Sequence, residues 1–440
     1  MPPTIIPAGR GIRHTRTWAD KQRPQSPREG MFYLYPNGDA RLTAILSGMK
    51  SEKPTDPRFS EFTKNLPSQT ADITGVYTDQ ALSSAFSAGT HAAGTLLYFK
   101  MSSDHVKEFR AGHVGLVRVA DAPAQDTHID VVAAVENGDN SYVAGKLLVN
   151  IADSTSAPNP ANASRLLCIG NANREGSTMP DSVNYNPVEM WNYTQIFLTP
   201  YEVTGTQMAT RLVTGDAYKE EKREKHELHA IEMEKAFFFG KRYITTENGK
   251  PKRYTMGIIP MVYEYAPTNV FNFTTETDAA FAGKKWEEAG MDWMEAVTEK
   301  IMRYGPSERT TFWGSGARLG LNTLARNWGS INIEPGQDSM GINIETWYGI
   351  SGLNLHILTH PLFSYEESNR HTVVIVSMKN IVEKPLRQTR VLRDKNDTEG
   401  GLSFMDGKKE AWLTETGLMF RHPYTFAVLH GVGQDNTVGI

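Results

Sequence analysis

The sequence predicts an α+β protein with a long β-rich excursion ahead of its main helix, on three observations. Between about Gly94 and Thr206, short runs rich in Val, Ile, Leu, Phe and Tyr recur between turn signals such as NGDN and APNPANAS. The stretch KEEKREKHELHAIEMEKAFFFG, Lys219 to Gly240, then reads as one helix. Beyond Gly305-Pro306 the apolar runs return to strand length, as in HTVVIVSM and TFAVLHGVG.

Along the chain, residues 1–35 hold five prolines and little periodicity, which reads as an extended arm; Arg41 to Met49 fits a short helix with Asp39 as its N-cap. GTLLYFKM, HVGLVRVA, HIDVVAAV, SYVAGKLLVNI and TQIFLTPYEVT are spaced closely enough for antiparallel hairpins. The main helix takes Thr214 or Asp216 as its cap and Gly240 as a stop where positive φ is cheap. From Lys219 to Glu227 every residue is Lys, Arg, Glu or His, with Glu221 and Lys225 at the favourable i,i+4 spacing. Leu228, Ile231 and Phe238 share a face, so only the C-terminal half has an apolar stripe to bury. NGKPKR marks a hairpin turn. A second helix spans about Ala282 to Arg303, with Trp286, Ala289, Trp293, Ala296, Val297 and Ile301 at helical spacing. A strand (RTTFW), a glycine turn, a helix (LGLNTLARNW) and further strands complete the chain.

Length and composition bound the function. The 440 residues, 39% hydrophobic and 22% charged, suit two or three globular domains at about 100–200 residues each. The single cysteine, Cys168, excludes an intrachain disulfide and a metal site of paired thiolates. With no apolar h-region at the start, this favours a reducing cytoplasm. No apolar run approaches the roughly 18 residues of a spanning helix, so no membrane partner is expected. Net charge is −4, with bases and acids interleaved except in the first thirty residues, where Arg10, Arg13 and Arg16 belong to a basic arm. That arm suits a polyanion or an acidic neighbour; the rest of the chain lacks the basic face of a dedicated DNA-binding protein.

Four patterns tempt a catalytic or binding reading. GSGARLG, Gly314 to Gly320, lacks the third glycine position of a dinucleotide fingerprint and reads as a tight turn. His226 and His229 with Glu232 stand three apart among charges, a facial metal set in principle but more simply a solvated face. His356 continues a strand and His360 falls in the turn after it. Trp191, Tyr193, Phe197 and Tyr201 alternate along one strand, a row that can stack on sugars or bases or be half-buried. No local grouping assembles a catalytic set, so the expectation is a non-enzyme with no catalytic residue, cofactor or metal.

Several segments in order carry a resemblance: Arg41 to Leu46 (RLTAIL), Asp56 to Phe59 (DPRF), Asn173 to Ser177 (NREGS), Asn192 to Phe197 (NYTQIF), Val203 to Thr206 (VTGT) and the helix end Ile231 to Gly240 (IEMEKAFFFG). Together they resemble the major capsid proteins of tailed bacteriophages, in a branch with an enlarged β-rich E-loop region. The resemblance covers roughly residues 35–260. Arg41 departs from it, because a proline often precedes the Leu-Thr pair, and the C-terminal part matches only in cadence at Gly352 to His360.

The resemblance implies the Hong Kong 97-type capsid fold. It divides the chain into an N-terminal arm (1–60), a β-rich extended loop (61–206), a peripheral domain with the long spine helix (207–282), an axial domain (283–370) and return strands (371–440). It further implies self-assembly into hexamers and pentamers of an icosahedral virion shell built in the host bacterial cytoplasm. The shell would enclose double-stranded DNA that it contacts weakly and non-specifically. Scaffold and portal proteins, and a cement protein in some relatives, are the implied partners. With no scaffold-sized segment ahead of the arm, a separate scaffold or a processed chain is expected. On this reading Leu228, Ile231, Phe237, Phe238 and Phe239 anchor the spine helix. Lys219, Glu220, Glu221, Lys222, Arg223, Glu224 and Lys225 lie across a neighbouring subunit, together with the arm of Arg10, Arg13 and Arg16. The alternatives are an encapsulin-type nanocompartment shell and a β-rich glycan-binding protein or hydrolase using the row from Trp191 to Tyr201.

Overall fold

A computed structural model describes residues 41–49, 51–64, 69–120, 122–153, 157–210, 216–328, 333–334, 338–339, 342–343, 345–348, 352–393 and 407–438. The arm with Arg10, Arg13 and Arg16, and the cap expected at Asp39, lie outside them. The chain divides into two compact units, residues 62–188 and residues 1–61 with 189–440. The β-rich region expected over 61–206 therefore ends at Val188, because the strand from Gln195 to Thr204 pairs with a strand more than 200 residues later.

In chain order the first elements are α1 (Arg41–Ser47) and β1 (Arg58–Thr63). Next come β2 (Thr70–Tyr77), β3 (Leu96–Met101), the one-turn α2 (Ser103–Val106), β4 (His113–Arg118), β5 (Thr127–Val135), β6 (Tyr142–Leu147) and β7 (Arg165–Asn171). They are followed by β8 (Val188–Tyr193), β9 (Gln195–Thr204), α3 (Gly205–Ala209) and the long α4 (Ala217–Phe239). The hairpin β10 (Tyr243–Glu247) and β11 (Lys250–Tyr254) precedes α5 (Ile258–Tyr265), β12 (Val270–Asn272) and α6 (Trp286–Met302). Then come β13 (Glu308–Trp313), α7 (Ser315–Trp328), β14 (Ile333–Glu334), β15 (Asp338–Ser339), β16 (Ile342–Asn343) and β17 (Glu345–Tyr348). The last are β18 (Asn354–Thr359), α8 (Pro361–Tyr365), β19 (Val373–Val376), β20 (Ile381–Glu383), β21 (Arg387–Arg393), β22 (Gly407–Thr416), β23 (Leu418–Phe420) and β24 (Ala427–His430). The class is α+β.

The unit of residues 62–188 is a closed barrel of strand order β2-β3-β6-β5-β4-β7. Strands β3 and β4 alternate strictly, and Leu97, Phe99, Val117, Ile129, Val143 and Leu166 fill the interior. Two glycines make that filling possible: a Cβ on Gly115 or Gly145 would stand 3.1 Å or less from atoms of Ile129.

The other unit centres on a mixed seven-stranded sheet of order β12-β24-β19-β13-β18-β17-β14. Its inner strands β19 and β24 are apolar on both faces, as expected for strands covered on both sides. Phe312, Leu358, Val374, Val376 and Val428 join one core with Phe237 and Phe238 of α4 and Met261 and Val262 of α5. Trp313, Leu355, Ile357, Val373, Ile375 and Leu429 join the other with Trp286, Trp293, Val297 and Ile301 of α6 and Leu321 and Leu324 of α7. GSGARLG is not a loop: helix begins at Ser315, directly after β13, and Gly320 takes a packing role, since its Cβ would stand 2.4 Å from the Cα of Gly433.

Candidate assembly surface

The long helix α4 is positioned from both ends. Asp216 accepts hydrogen bonds from the amides of Tyr218 (3.0 Å) and Lys219 (3.4 Å), holding two of the free N–H groups of the first turn. Gly240 closes the helix with φ −59°, so positive φ is not its reason for being glycine. A Cβ there would lie 2.5 Å from the Ala236 carbonyl oxygen and 2.6 Å from that of Thr255; close backbone approach is what excludes a side chain.

The buried face of α4 differs from the sequence expectation. Phe237 and Phe238 are buried, but Leu228 and Ile231 are only half-buried and Phe239 is exposed. The stripe that faces the sheet is His229, Met233 and Phe237, at i, i+4 and i+8, with Glu234 and Phe238 beside it. Counting histidine as polar shifted the expected stripe by a residue. His229 is fully buried between two strands, its Nδ1 2.8 Å from Thr199 Oγ1 of β9 and its Nε2 2.8 Å from Thr414 Oγ1 of β22. Burial, with His226 a lesser contribution, pulls its pKa down to about 4, so it stays neutral and no solvated metal face exists there.

The polar half of α4 rests on its own three-stranded sheet of order β21-β22-β9. Trp412 of β22 donates its indole N–H to the Lys222 carbonyl at 3.1 Å, and its ring lies 4.4 Å from that of His226. Tyr218 donates to Glu410 at 2.7 Å and Tyr201 donates to the same carboxylate. Burial pushes that carboxyl up, but the two tyrosine hydroxyls and nearby Lys222 and Arg393 outweigh it and hold Glu410 below the ordinary range. Burial and the same hydrogen bond push Tyr201 far up. Glu221 pairs with Lys225 at 3.4 Å and Arg223 with Glu227 at 3.1 Å. Lys219 and Arg223 are exposed, whereas Glu220, Glu221, Lys222, Glu224 and Lys225 are half-buried. The long polar half is therefore a helix face matched to polar strand residues within one chain rather than a bare strut.

Two polar centres escaped the sequence reading. Glu234, buried in an apolar block, accepts from the amides of Leu42 and Thr43 (both 2.7 Å), from Thr43 Oγ1 (2.5 Å) and from His360 Nε2 (2.8 Å). His360 Nδ1 accepts from the Leu362 amide at 3.2 Å, so Nε2 carries the hydrogen given to Glu234. One carboxylate thus docks the start of α1, helix α4 and the turn that opens α8. Its only sequence signal is an acid inside IEMEKAFFF. The second centre is a charge cluster: Lys384 Nζ lies 2.6 Å from Glu52 and 2.9 Å from Glu61, and Arg421 pairs with both acids. The Arg421 hydrogen bond leads the causes that hold Glu61 below its ordinary range, and the Lys384 hydrogen bond does so for Glu52.

The aromatic row is not one surface. Trp191 and Tyr193 lie on β8, Phe197 and Tyr201 on β9, with Thr194 between the strands. Phe197 and Tyr201 are buried facing α4, and Trp191 is held between Arg242 (3.7 Å) and Arg58 (4.5 Å). Among the described residues, no cluster of His, Cys, Asp and Glu could hold a metal ion, and no helix is long and apolar enough to cross a membrane.

Residues 34–433 match the family model described as the SU10 major capsid protein. The chain belongs to that family. The major capsid protein of Pseudomonas phage PaMx41 is 26% identical over 330 residues, which are 75% of this chain and 71% of that protein. Solved structures with similarity include Microbacterium phage Oxtober96 (TM-score 0.38, 12% identity, 59% of this chain and 80% of that one). The capsid of cyanophage P-SCSP1u (0.36, 11%, 62% and 81%) and the SrpI encapsulin of Synechococcus elongatus (0.37, 13%, 58% and 78%) are others. The assignment rests on the family match. This is a phage major capsid protein, a structural component of the virion that assembles with copies of itself.

Proposed function

We propose that this capsid protein forms the hexamers and pentamers of an icosahedral shell with Hong Kong 97-type architecture, packed with double-stranded DNA and built in the host bacterial cytoplasm. The observation that carries the reading is the family match across residues 34–433. It is supported by a long helix laid on a sheet in the larger unit and by a β-barrel unit inserted between β1 and β8. In this arrangement α4 is the spine helix, its surroundings the peripheral domain, and α6, α7 and their side of the seven-stranded sheet the axial domain. The barrel unit is the enlarged extended loop. Lys219 and Arg223 on the exposed edge of α4, with Glu220, Glu221, Lys222, Glu224 and Lys225 beside them, and the arm of Arg10, Arg13 and Arg16, meet neighbouring copies. Scaffold and portal proteins complete assembly, and a cement protein is an optional addition. The role requires no catalytic site. A net charge of −4 suits a wall that contacts its genome weakly, since strong phosphate binding would oppose packaging and release.

The test is to express the chain with and without the phage's scaffold and portal genes, then to examine particles by sedimentation and negative-stain microscopy. Closed shells that contain DNA when the packaging genes are present support the reading. Shells holding a protein cargo and excluding DNA, or a chain that stays monomeric with every partner supplied, overturn it.

A further inference from the structure

One charge inside the larger unit stands without a counter-charge. Arg309, near the start of β13, is only 1% exposed, and its Nη2 donates to the carbonyl of Tyr304, just past the C-terminal end of α6. A helix C-terminus offers roughly half a negative charge at most. Nε and Nη1 have no hydrogen-bond partner among the described residues. Glu308, the adjacent acid, is exposed and by strand alternation belongs to the other face. Burial alone pulls the Arg309 pKa down to about 10, with no acid acting on it, so the group is still charged at neutral pH. A buried cation with unmet donors is among the costliest arrangements a fold can hold.

A second unmet group lies beside it. β13 and β19 are antiparallel and pair as far as Thr310 with Val376, so the next position sets Arg309 opposite Ser377. Opposed residues of such a pair share a face. Two residues apart along each strand, it is the face on which Trp313, Val373 and Ile375 join the core of α6 and α7. Ser377 is 1% exposed, and its Oγ also has no partner among the described residues. The guanidinium can only donate and the hydroxyl can rotate to donate, so both call for an acceptor. Water would supply the acceptor but not the charge.

The surroundings limit the size of what fits. Gly305, at φ +83°, covers the guanidinium: a Cβ there would stand 2.9 Å from Arg309 Nη2 and 2.7 Å from Thr425 Cγ2. A carboxylate on another chain would have to open this turn to reach Arg309. A monatomic ion can be enclosed as the chain folds.

We infer that the Arg309 guanidinium and the Ser377 hydroxyl hold a small monovalent anion of the halide class, enclosed beneath the turn that joins α6 to β13. The ion ties the end of α6, the start of β13 and the end of β19 to one point. This goes beyond the capsid reading and does not depend on it.

The test follows thermal unfolding of the unassembled full-length chain in sodium chloride and in sodium gluconate at equal ionic strength, gluconate being too large for the site. A ligand bound only by the folded state raises the melting temperature with its concentration. The expected result is a chloride-dependent rise in the wild type that Arg309→Met abolishes. Ser377→Ala should need about tenfold more chloride for the same rise, the effect of one lost hydrogen bond to a charged group. Crystals grown with bromide should show its anomalous signal beside Arg309 and Ser377. If Arg309→Met fails to fold, the Ser377→Ala titration and the bromide signal decide. A wild type that melts alike in both salts, an Arg309→Met chain that keeps the chloride increment, a Ser377→Ala chain that titrates as the wild type does, or no bromide at the site overturns the proposal.

Discussion

The two halves of α4 are held on their sheets by opposite chemistry. From Met233 onward the helix packs by ring edges: Phe238 meets Phe312 at 5.2 Å, Phe363 at 5.0 Å and His360 at 4.9 Å, all near perpendicular. From Tyr218 to His229 it packs by polar matching, with a tyrosine pair on Glu410, an indole on a helix carbonyl and a histidine between two threonines. The first kind of contact is non-directional and tolerates small shifts. The second has fixed partners and geometry, so it sets the register of a helix roughly 35 Å long against its sheet.

Breaking the apolar half should cost most. Phe238→Ala removes a fully buried ring and is expected to lower unfolding free energy by about 3–5 kcal/mol, read from denaturant melts of the unassembled chain. Glu234→Ala should follow at about 3 kcal/mol, since two backbone amides and His360 lose their buried acceptor. In that variant protease should cut first near α1.

At His229 the polar half makes a pH-dependent prediction. Its folded pKa of about 4 lies below the ordinary value of 6.5, so the unfolded chain binds the proton first as pH falls. The neutral ring's contribution is complete above about pH 6.5 and is lost progressively on falling toward 4. His229→Gln should flatten that part of the stability–pH curve, and an unchanged slope would place the titration elsewhere. The smallest effect belongs to the solvent edge. Glu221→Lys with Glu224→Lys breaks one partly exposed pair and should change monomer stability by about 0.5 kcal/mol or less, so any large loss of shells from it reports a contact between copies.

How much of this was legible follows from how local each interaction is. Four of the six barrel strands, β3 to β6, announced themselves as local apolar runs, whereas β2 and β7 were missed, and Trp286, Ala289, Trp293, Val297 and Ile301 marked the buried face of α6 because helical spacing is local too. The hairpin at Asn248-Gly249 was equally plain. Barrel closure was not, since it depends on β2 pairing with β7 across about a hundred residues. Nor was the partner of β9, because β22 lies at the far end of the chain and only its arrival puts Thr414 and Trp412 under α4. Without that sheet in view, the charged run from Lys219 to Glu227 reads as solvated, and His229, Glu234 and His360 read as surface or turn residues. Polar side chains reveal burial only through their partners, and here the partners that bury them, Thr199 and Thr414 for His229 and Leu42, Thr43 and His360 for Glu234, are distant in sequence.

Amide hydrogen exchange along α4 in the unassembled chain tests the central claim most directly. If the polar half is held by its own sheet, amides after the first turn should show protection through residues 221–228 comparable to that of 229–239. Fast exchange in the first segment with strong protection in the second would contradict the account, returning the polar half to a strut that only a neighbouring subunit orders.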